Sequence, residues 1–328
     1  MTPAGLSRLL AESRHAPDGL VPVVGTGLNN EAARIEAADP DDDWASLVDG
    51  IAHGTGMTAA ERAELPQSFL ARWERLVIRW AQAHQLEPFQ AERQLEKRVV
   101  ERLREREAAA GQQVLYREFA EAGLADIISL NFDRRIARAA AKELFDNGPK
   151  NPREGPKGRT LYRHSLVTGR DGATTRIWYP HGDTKRTETL RLGIRKYGFH
   201  LGLLLEHVYQ GTADWRDPWA TKVIHLPSYV ETENDDYQEE DDRRTSWVEV
   251  FLARPLLFIG VGLSPDEWSL WWLLQLRADQ ATVTPGYYAH VGPLDPGLMH
   301  ILPTLAGLEP MRFRSYDDLW SRVRGALT

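Results

Sequence analysis

Leu20-Val21-Pro22-Val23-Val24-Gly25-Thr26-Gly27-Leu28-Asn29 is the stretch on which the reading of this chain turns. An uninterrupted apolar run breaks into a Gly-x-Gly turn, as when a strand covered on both faces hands over to a helix. Runs of the same kind recur at Ile127 to Leu130, Ile177 to Tyr179, Val223 to Leu226, Leu256 to Ile259, Tyr287 to Val291 and Met311 to Phe313. Segments of helical period lie between them. Strand then helix, repeated, predicts an α/β fold with a doubly wound parallel sheet.

Residues 58–124 break the alternation. They carry no strand signal, and Phe69-Leu70, Trp73, Leu76-Val77 and Trp80, then Leu95, Val99-Val100 and Leu103, fall at helical spacing. A helical subdomain inserted between the first two strands is expected, within a single domain spanning 1–328. Two stretches read as flexible loops, the Pro-, Gly- and Lys-rich 147–160 and the acidic run 231–244. The acidic run either is simply solvated or contacts a partner or gates a site. No internal repeat is visible.

Composition narrows the function. The 328 residues include 40 Lys and Arg against 47 Asp and Glu, a net charge of −7, which argues against a protein built to grip nucleic-acid phosphates. The basic cluster from Lys97 to Arg106 is interleaved with Glu96, Glu101, Glu105 and Glu107, so it reads as a solvated helix face. With no cysteine, disulfides, thiol catalysis and thiolate metal sites are excluded. No apolar run approaches the roughly 18 residues of a membrane span, and the N-terminus shows no signal-like segment. A cytoplasmic protein without membrane contact is the expectation. The 11 tryptophans are expected in the core or at subunit contacts.

Four places carry candidate chemistry. At Gly25-Thr26-Gly27-Leu28-Asn29 the glycines would let backbone N–H groups approach a phosphate at a helix N-terminus; a plain tight turn is the alternative. The third glycine of a dinucleotide fingerprint is missing, since Asn30 stands there. Asp42 and Asp43 lie near the distance of a ribose-binding acid but precede a helix. Ile127 to Asp133 places Asn131 and Asp133 where a strand meets the carboxyl edge of the sheet. Asp133 also fits as the N-cap of a helix from Arg134 to Phe145. Trp178-Tyr179-Pro180-His181-Gly182-Asp183 puts His181 at a strand end, placed for general base work or for a structural hydrogen bond. His225, within an apolar run, fits the structural role better. Finally, Gly260-Val261-Gly262-Leu263-Ser264-Pro265-Asp266-Glu267-Trp268 repeats the close-approach turn. There Ser264 and Glu267 form a capping box with Pro265 at the first helical position. No histidine pair has metal-binding spacing.

The order of these elements resembles the sirtuin-like fold, in particular the bacterial sirtuin-like domains of anti-phage defence. The turn at Gly25 to Asn29 is similar to that family's Gly-Ala-Gly-x-Ser, with Thr26 for Ala and Asn29 for Ser. Asn131-Phe132-Asp133 is similar to its Asn-x-Asp strand end, His181-Gly182 to its catalytic His-Gly, and Phe258 to Leu274 to the segment that closes on the adenosine side of NAD. The resemblance spans Val21 to Leu274, and the tail completes a Rossmann-like sheet. The zinc ribbon of deacetylating sirtuins is absent, as is their Asp-Phe-Arg segment, so deacylation is not expected.

The resemblance implies an NAD+ glycohydrolase, with NAD+ as substrate and no metal. Asn131 would orient the ribose and a water, His181 would be the general base, and Asp133 would hold the nicotinamide carboxamide. Gly25, Thr26 and Gly27 would cradle the pyrophosphate with Asn29 beside them, while Gly260, Gly262 and Ser264 would border the adenosine. It also implies control, through homo-oligomer formation or a separate sensor protein. Two other outcomes stay open: a module that binds NAD or ADP-ribose without cleaving it, and an ADP-ribosyltransferase.

Overall fold

A computed structural model describes residues 3–36, 44–110, 113–146, 161–169, 171–209, 246–279 and 284–327. The expected strand at Val223 to Leu226, His225, Asp42, Asp43 and the loops 147–160 and 231–244 lie outside the described residues.

The apolar runs become strands. Val21–Val24 (β1), Asp126–Ser129 (β2) and Leu256–Ile259 (β6) are buried at every position, as strands covered on both faces must be. With Thr174–Trp178 (β5), Gly286–Val291 (β7) and Leu308–Phe313 (β8) they form six parallel strands in the order β5-β2-β1-β6-β7-β8. Numbered by appearance, that is 3-2-1-4-5-6, the doubly wound order of a Rossmann-like sheet. The order reverses between β1 and β6, and such folds bind ligands at the carboxyl edge beside the reversal.

Successive side chains alternate between two layers. Val24, Ile127, Ile177 and Ile259 pack against Pro3–Ser13 (α1), Thr26–Ile35 (α2), Val114–Ala120 (α7), Arg135–Ala139 (α8) and Tyr316–Leu327 (α13). Val21, Val23, Ile128, Trp178 and Phe258 face Ile194–Tyr209 (α9), Trp247–Ala253 (α10), Trp268–Ala278 (α11) and Pro296–Thr304 (α12). Trp73, Trp178, Trp247 and Trp320 are buried, whereas Trp268 is 42% exposed.

The helical stretch between β1 and β2 has its own core. Leu47, Val48 and Ile51 of Trp44–Gly54 (α3) meet Trp73, Leu76 and Val77 of Phe69–His84 (α5), and Leu95, Val99 and Leu103 of Pro88–Ala110 (α6). The short Ala59–Ala63 (α4) begins with a full capping box, Thr58 to Glu61. Phe132, Leu190 and Leu192 enter this core from the turns of the sheet, so the helical body rests on the carboxyl edge. Of the stretch 58–124, α7 packs on the sheet instead, through Leu115, Tyr116 and Phe119.

The helix expected from Arg134 to Phe145 is corrected. α8 stops at Ala139, Ala140 is extended, and Lys142–Asp146 (β3) pairs antiparallel with His164–Thr168 (β4), which pairs antiparallel with β5. Residues 164–168 alternate between half-buried and buried, the period-2 pattern of an outer strand rather than a continuous apolar run.

Candidate functional site

The turns after β1, β2, β5 and β6 converge on the carboxyl edge. The first and last lie back to back: Gly27 N–H donates to the Gly260 carbonyl at 2.9 Å. A Cβ on Gly27 would stand 2.5 Å from Gly260 Cα, and one on Gly25 would stand 2.7 Å from the Gly260 oxygen. Close packing of two backbones therefore explains Gly25, Gly27 and Gly260. Gly262 is exposed and a Cβ there would meet nothing within 4 Å. Leu263, buried and non-glycine, holds φ at +43°, so the turn after β6 carries local strain.

Asn29, in the first turn of α2, points inward. Its Nδ2 donates to Asp133 Oδ2 at 2.8 Å, and its Oδ1 accepts from Tyr116 Oη at 2.9 Å. Asn131 Nδ2 donates to the Gly25 carbonyl at 3.0 Å, tying the end of β2 to the turn of β1. Asp133 Oδ1 accepts the Arg135 N–H at 3.2 Å, so it caps α8 from two residues before its start. Sequence reasoning named three members of this network but not Tyr116 or Arg135, whose guanidinium reaches the Tyr116 hydroxyl at 3.2 Å.

His181 sits in the turn after β5. Gly182 has φ +87° and would drive a Cβ into the Thr189 carbonyl, so only glycine fits there. Behind it, Asp183 and Arg163 form a fully buried ion pair, Oδ1 to Nη2 at 2.9 Å. The Thr184 N–H donates to the Phe132 carbonyl at 3.0 Å, and the His181 and Phe132 rings lie 6.0 Å apart. The structure thus brings His181 beside Asn131-Phe132-Asp133. Helix α6 fastens the two turns together: the Glu107 carboxylate accepts from Thr184 Oγ1 and from the Arg134 N–H, and Arg104 reaches the Thr184 carbonyl.

The capping box expected at Ser264 and Glu267 is not formed. Helix α11 begins at Trp268, beyond Pro265, and Glu267, its N-cap residue, makes no side-chain cap bond. Ser264 is exposed and its hydroxyl accepts from the Asp266 N–H at 3.2 Å. Asp266 instead caps α5, accepting from Ser68 Oγ at 2.9 Å and the Phe69 N–H at 2.8 Å. Glu267 turns inward, its Oε2 3.2 Å from Tyr197 Oη and 3.3 Å from His181 Nε2. Its place just after the second Gly-x-Gly was the available signal for Glu267. Tyr197, on helix α9, carried none.

Electrostatics follow from burial. Asn29, Asn131, Asp133 and His181 are at most 6% exposed. Burial lowers the His181 imidazole below its ordinary value, the Glu267 carboxylate opposes that, and Arg191 adds to it. The ring is therefore neutral at pH 7. Burial and Glu267 together hold the Tyr197 phenol well above its usual range. His181 Nε2 lies within ion-pair reach of Glu267 yet is not aligned for a hydrogen bond and has no other partner among the described residues, an arrangement that costs roughly 1–3 kcal/mol if nothing fills it. A neutral buried base, two amides and a carboxylate can position a polar substrate and accept a proton from it.

Among the described residues no cluster of three or more His, Asp or Glu side chains is arranged to hold a metal ion. No helix among them is long and apolar enough to cross a membrane. No protein-family model matches the chain, and no curated protein matches its sequence at a significant level.

Proposed function

We propose that the protein hydrolyses the nicotinamide–ribose bond of NAD+, as the sirtuin-like resemblance implies. One observation carries this reading: a buried His181, its Nε2 without a hydrogen-bond partner among the described residues, stands beside the Asn131–Asp133 turn at the carboxyl edge of a doubly wound sheet. In the reaction the glycosidic electron pair leaves with nicotinamide. A water oxygen bonds to the anomeric carbon, and the water's proton passes to His181 and then to solvent. Asn131 orients ribose and water, and the turns at Gly25 to Asn29 and Gly260 to Ser264 flank the dinucleotide.

A second reading, NAD or ADP-ribose binding without cleavage, draws on a different fact. Both oxygens of Asp133 and the amide of Asn131 already have protein partners. For a hydrolase, the same coverage describes a resting state that opens on self-assembly or on contact with a sensor protein. Nicotinamide release by the purified protein, followed over a range of protein concentrations, tests these readings. His181→Ala is expected to lose roughly 10²–10⁴-fold in rate. Release at the parent rate by His181→Ala refutes the assignment of the base. Tight NAD+ binding with no release favours the binding module, and label retained on macromolecules favours ADP-ribosyl transfer.

A further inference from the structure

His181 Nδ1 lies 3.2 Å from Tyr197 Oη, and that hydroxyl lies 3.2 Å from Glu267 Oε2. A phenol has one proton to give, and a carboxylate only accepts. The Tyr197 proton therefore goes to Glu267, and the hydrogen between Tyr197 and His181 belongs to Nδ1. That assignment leaves the lone pair on Nε2, the ring nitrogen without a hydrogen bond among the described residues. The same Glu267 oxygen stands 3.3 Å from Nε2. A carboxylate there repels a lone pair and attracts an N–H⁺, so it favours uptake of a proton at Nε2.

We infer that Tyr197 and Glu267 are positioning residues that lock His181 in its Nδ1–H tautomer and supply the counter-charge for the proton received at Nε2. The inference rests on the reading of His181 as the base. It answers a difficulty in that reading, because a buried imidazole is a weak base. The groups facing the ring from the elements around it are Glu267 from the turn after β6, Tyr197 and His200 from α9, and Arg191 from the segment before α9. The ring of Phe132 covers the side toward β2. Of these groups only Glu267 favours the imidazolium. The proton balance is complete: water gives its proton to Nε2, the resulting charge sits against Glu267, and Nε2 returns the proton to solvent after nicotinamide has left.

The test is nitrogen NMR of the histidine rings in the whole protein, with His181 assigned by the signal lost in His181→Asn, alongside pH profiles of nicotinamide release. The parent is expected to show a protonated Nδ1 and a bare Nε2 at neutral pH. Tyr197→Phe is expected to relax the ring toward the Nε2–H tautomer. Glu267→Gln is expected to move the His181 titration and the acid limb of kcat to lower pH together and to cut the plateau kcat roughly tenfold, with KM little changed. Glu267→Asp, which keeps the charge, is expected to recover part of the loss. A parent ring in the Nε2–H form, or a Glu267→Gln protein whose His181 titrates as before, overturns the inference. A parent that releases no nicotinamide at any concentration overturns the catalytic reading instead, and the ring spectra then decide the Tyr197–Glu267 assignment by themselves.

Discussion

Two glycines of one Gly-x-Gly turn are expected to respond to alanine in opposite ways. Gly260 has φ +64°, and a Cβ on it would stand 2.8 Å from Gly27 Cα and 2.9 Å from the Leu28 nitrogen, backbone atoms that cannot rotate aside. A side chain forced into the left-handed region costs about 1–2 kcal/mol. Overpacking two turns held by the Gly27 N–H to Gly260 carbonyl bond adds about 1–3 kcal/mol. Gly260→Ala should therefore lose roughly 2–5 kcal/mol, the sum of those two costs. Gly262 meets nothing within 4 Å of an added Cβ, so Gly262→Ala should stay within about 0.5 kcal/mol of the parent. Urea unfolding read by tryptophan fluorescence separates the two, provided the slope of the transition is unchanged. A Gly260→Ala protein as stable as the parent, or a Gly262→Ala protein as damaged as Gly260→Ala, would refute the claim that backbone contact explains the first glycine and not the second. Gly262 is also among the glycines that the proposed NAD+ reading sets beside the adenosine. Gly262→Val is expected to weaken NAD+ binding without moving the unfolding midpoint.

Two further predictions concern the ground on which His181 stands. Asp183→Ala removes the buried carboxylate that pairs with the Arg163 guanidinium and should cost about 3–5 kcal/mol in urea unfolding. Replacing both residues with apolar ones should recover much of that loss, and a double variant no better than the single one would contradict the pairing. Acid should also destabilise the fold through His181 and His200, whose imidazoles burial holds below the ordinary value of 6.5. Below that value the unfolded chain takes up protons that the native rings refuse, so stability falls as pH drops, by up to about 1.4 kcal/mol per pH unit for each ring. Neither ring nitrogen of His200 has a hydrogen-bond partner among the described residues, so His200→Leu is expected to flatten this dependence between pH 6.5 and 5. An unaltered slope in that variant would remove His200 from the account.

What the sequence made legible follows from how each element is buried. Strands β1, β2 and β6 are buried at every position because helices cover both faces, so their residues, apolar but for Asp126 and Ser129 at the ends of β2, announce them, and the turns that follow could be placed at the carboxyl edge from the sequence. Strands β3 and β4 lie at the border of the sheet and are held by pairing with a neighbour. Lys142-Glu143-Leu144 continues the polarity of the helix before it, and only the register against Leu166 to Thr168 distinguishes strand from helix. The site divides in the same way. Asn131 and His181 were visible because a polar residue at the end of an apolar run needs a reason. Glu267 was hidden by a sufficient local explanation, since Ser-Pro-Asp-Glu spells a capping box whether or not one forms. Here Asp266 meets the half-buried N-terminus of α5, where Ser68 Oγ and the Phe69 N–H need an acceptor, and the helical body is thereby fastened to the turn after β6. That contact spans 198 positions of sequence, and no local pattern encodes it. With Asp266 committed outward, Glu267 next to it faces the interior, where Tyr197 and His181 meet its carboxylate. The inserted helices therefore position the site chemically as well as cover it. Asp266 holds α5 against the turn that presents Glu267, and Glu107 of α6 joins the turns that carry Asp133 and His181. Anything that shifts this helical body against the sheet must move His181 and Glu267 together.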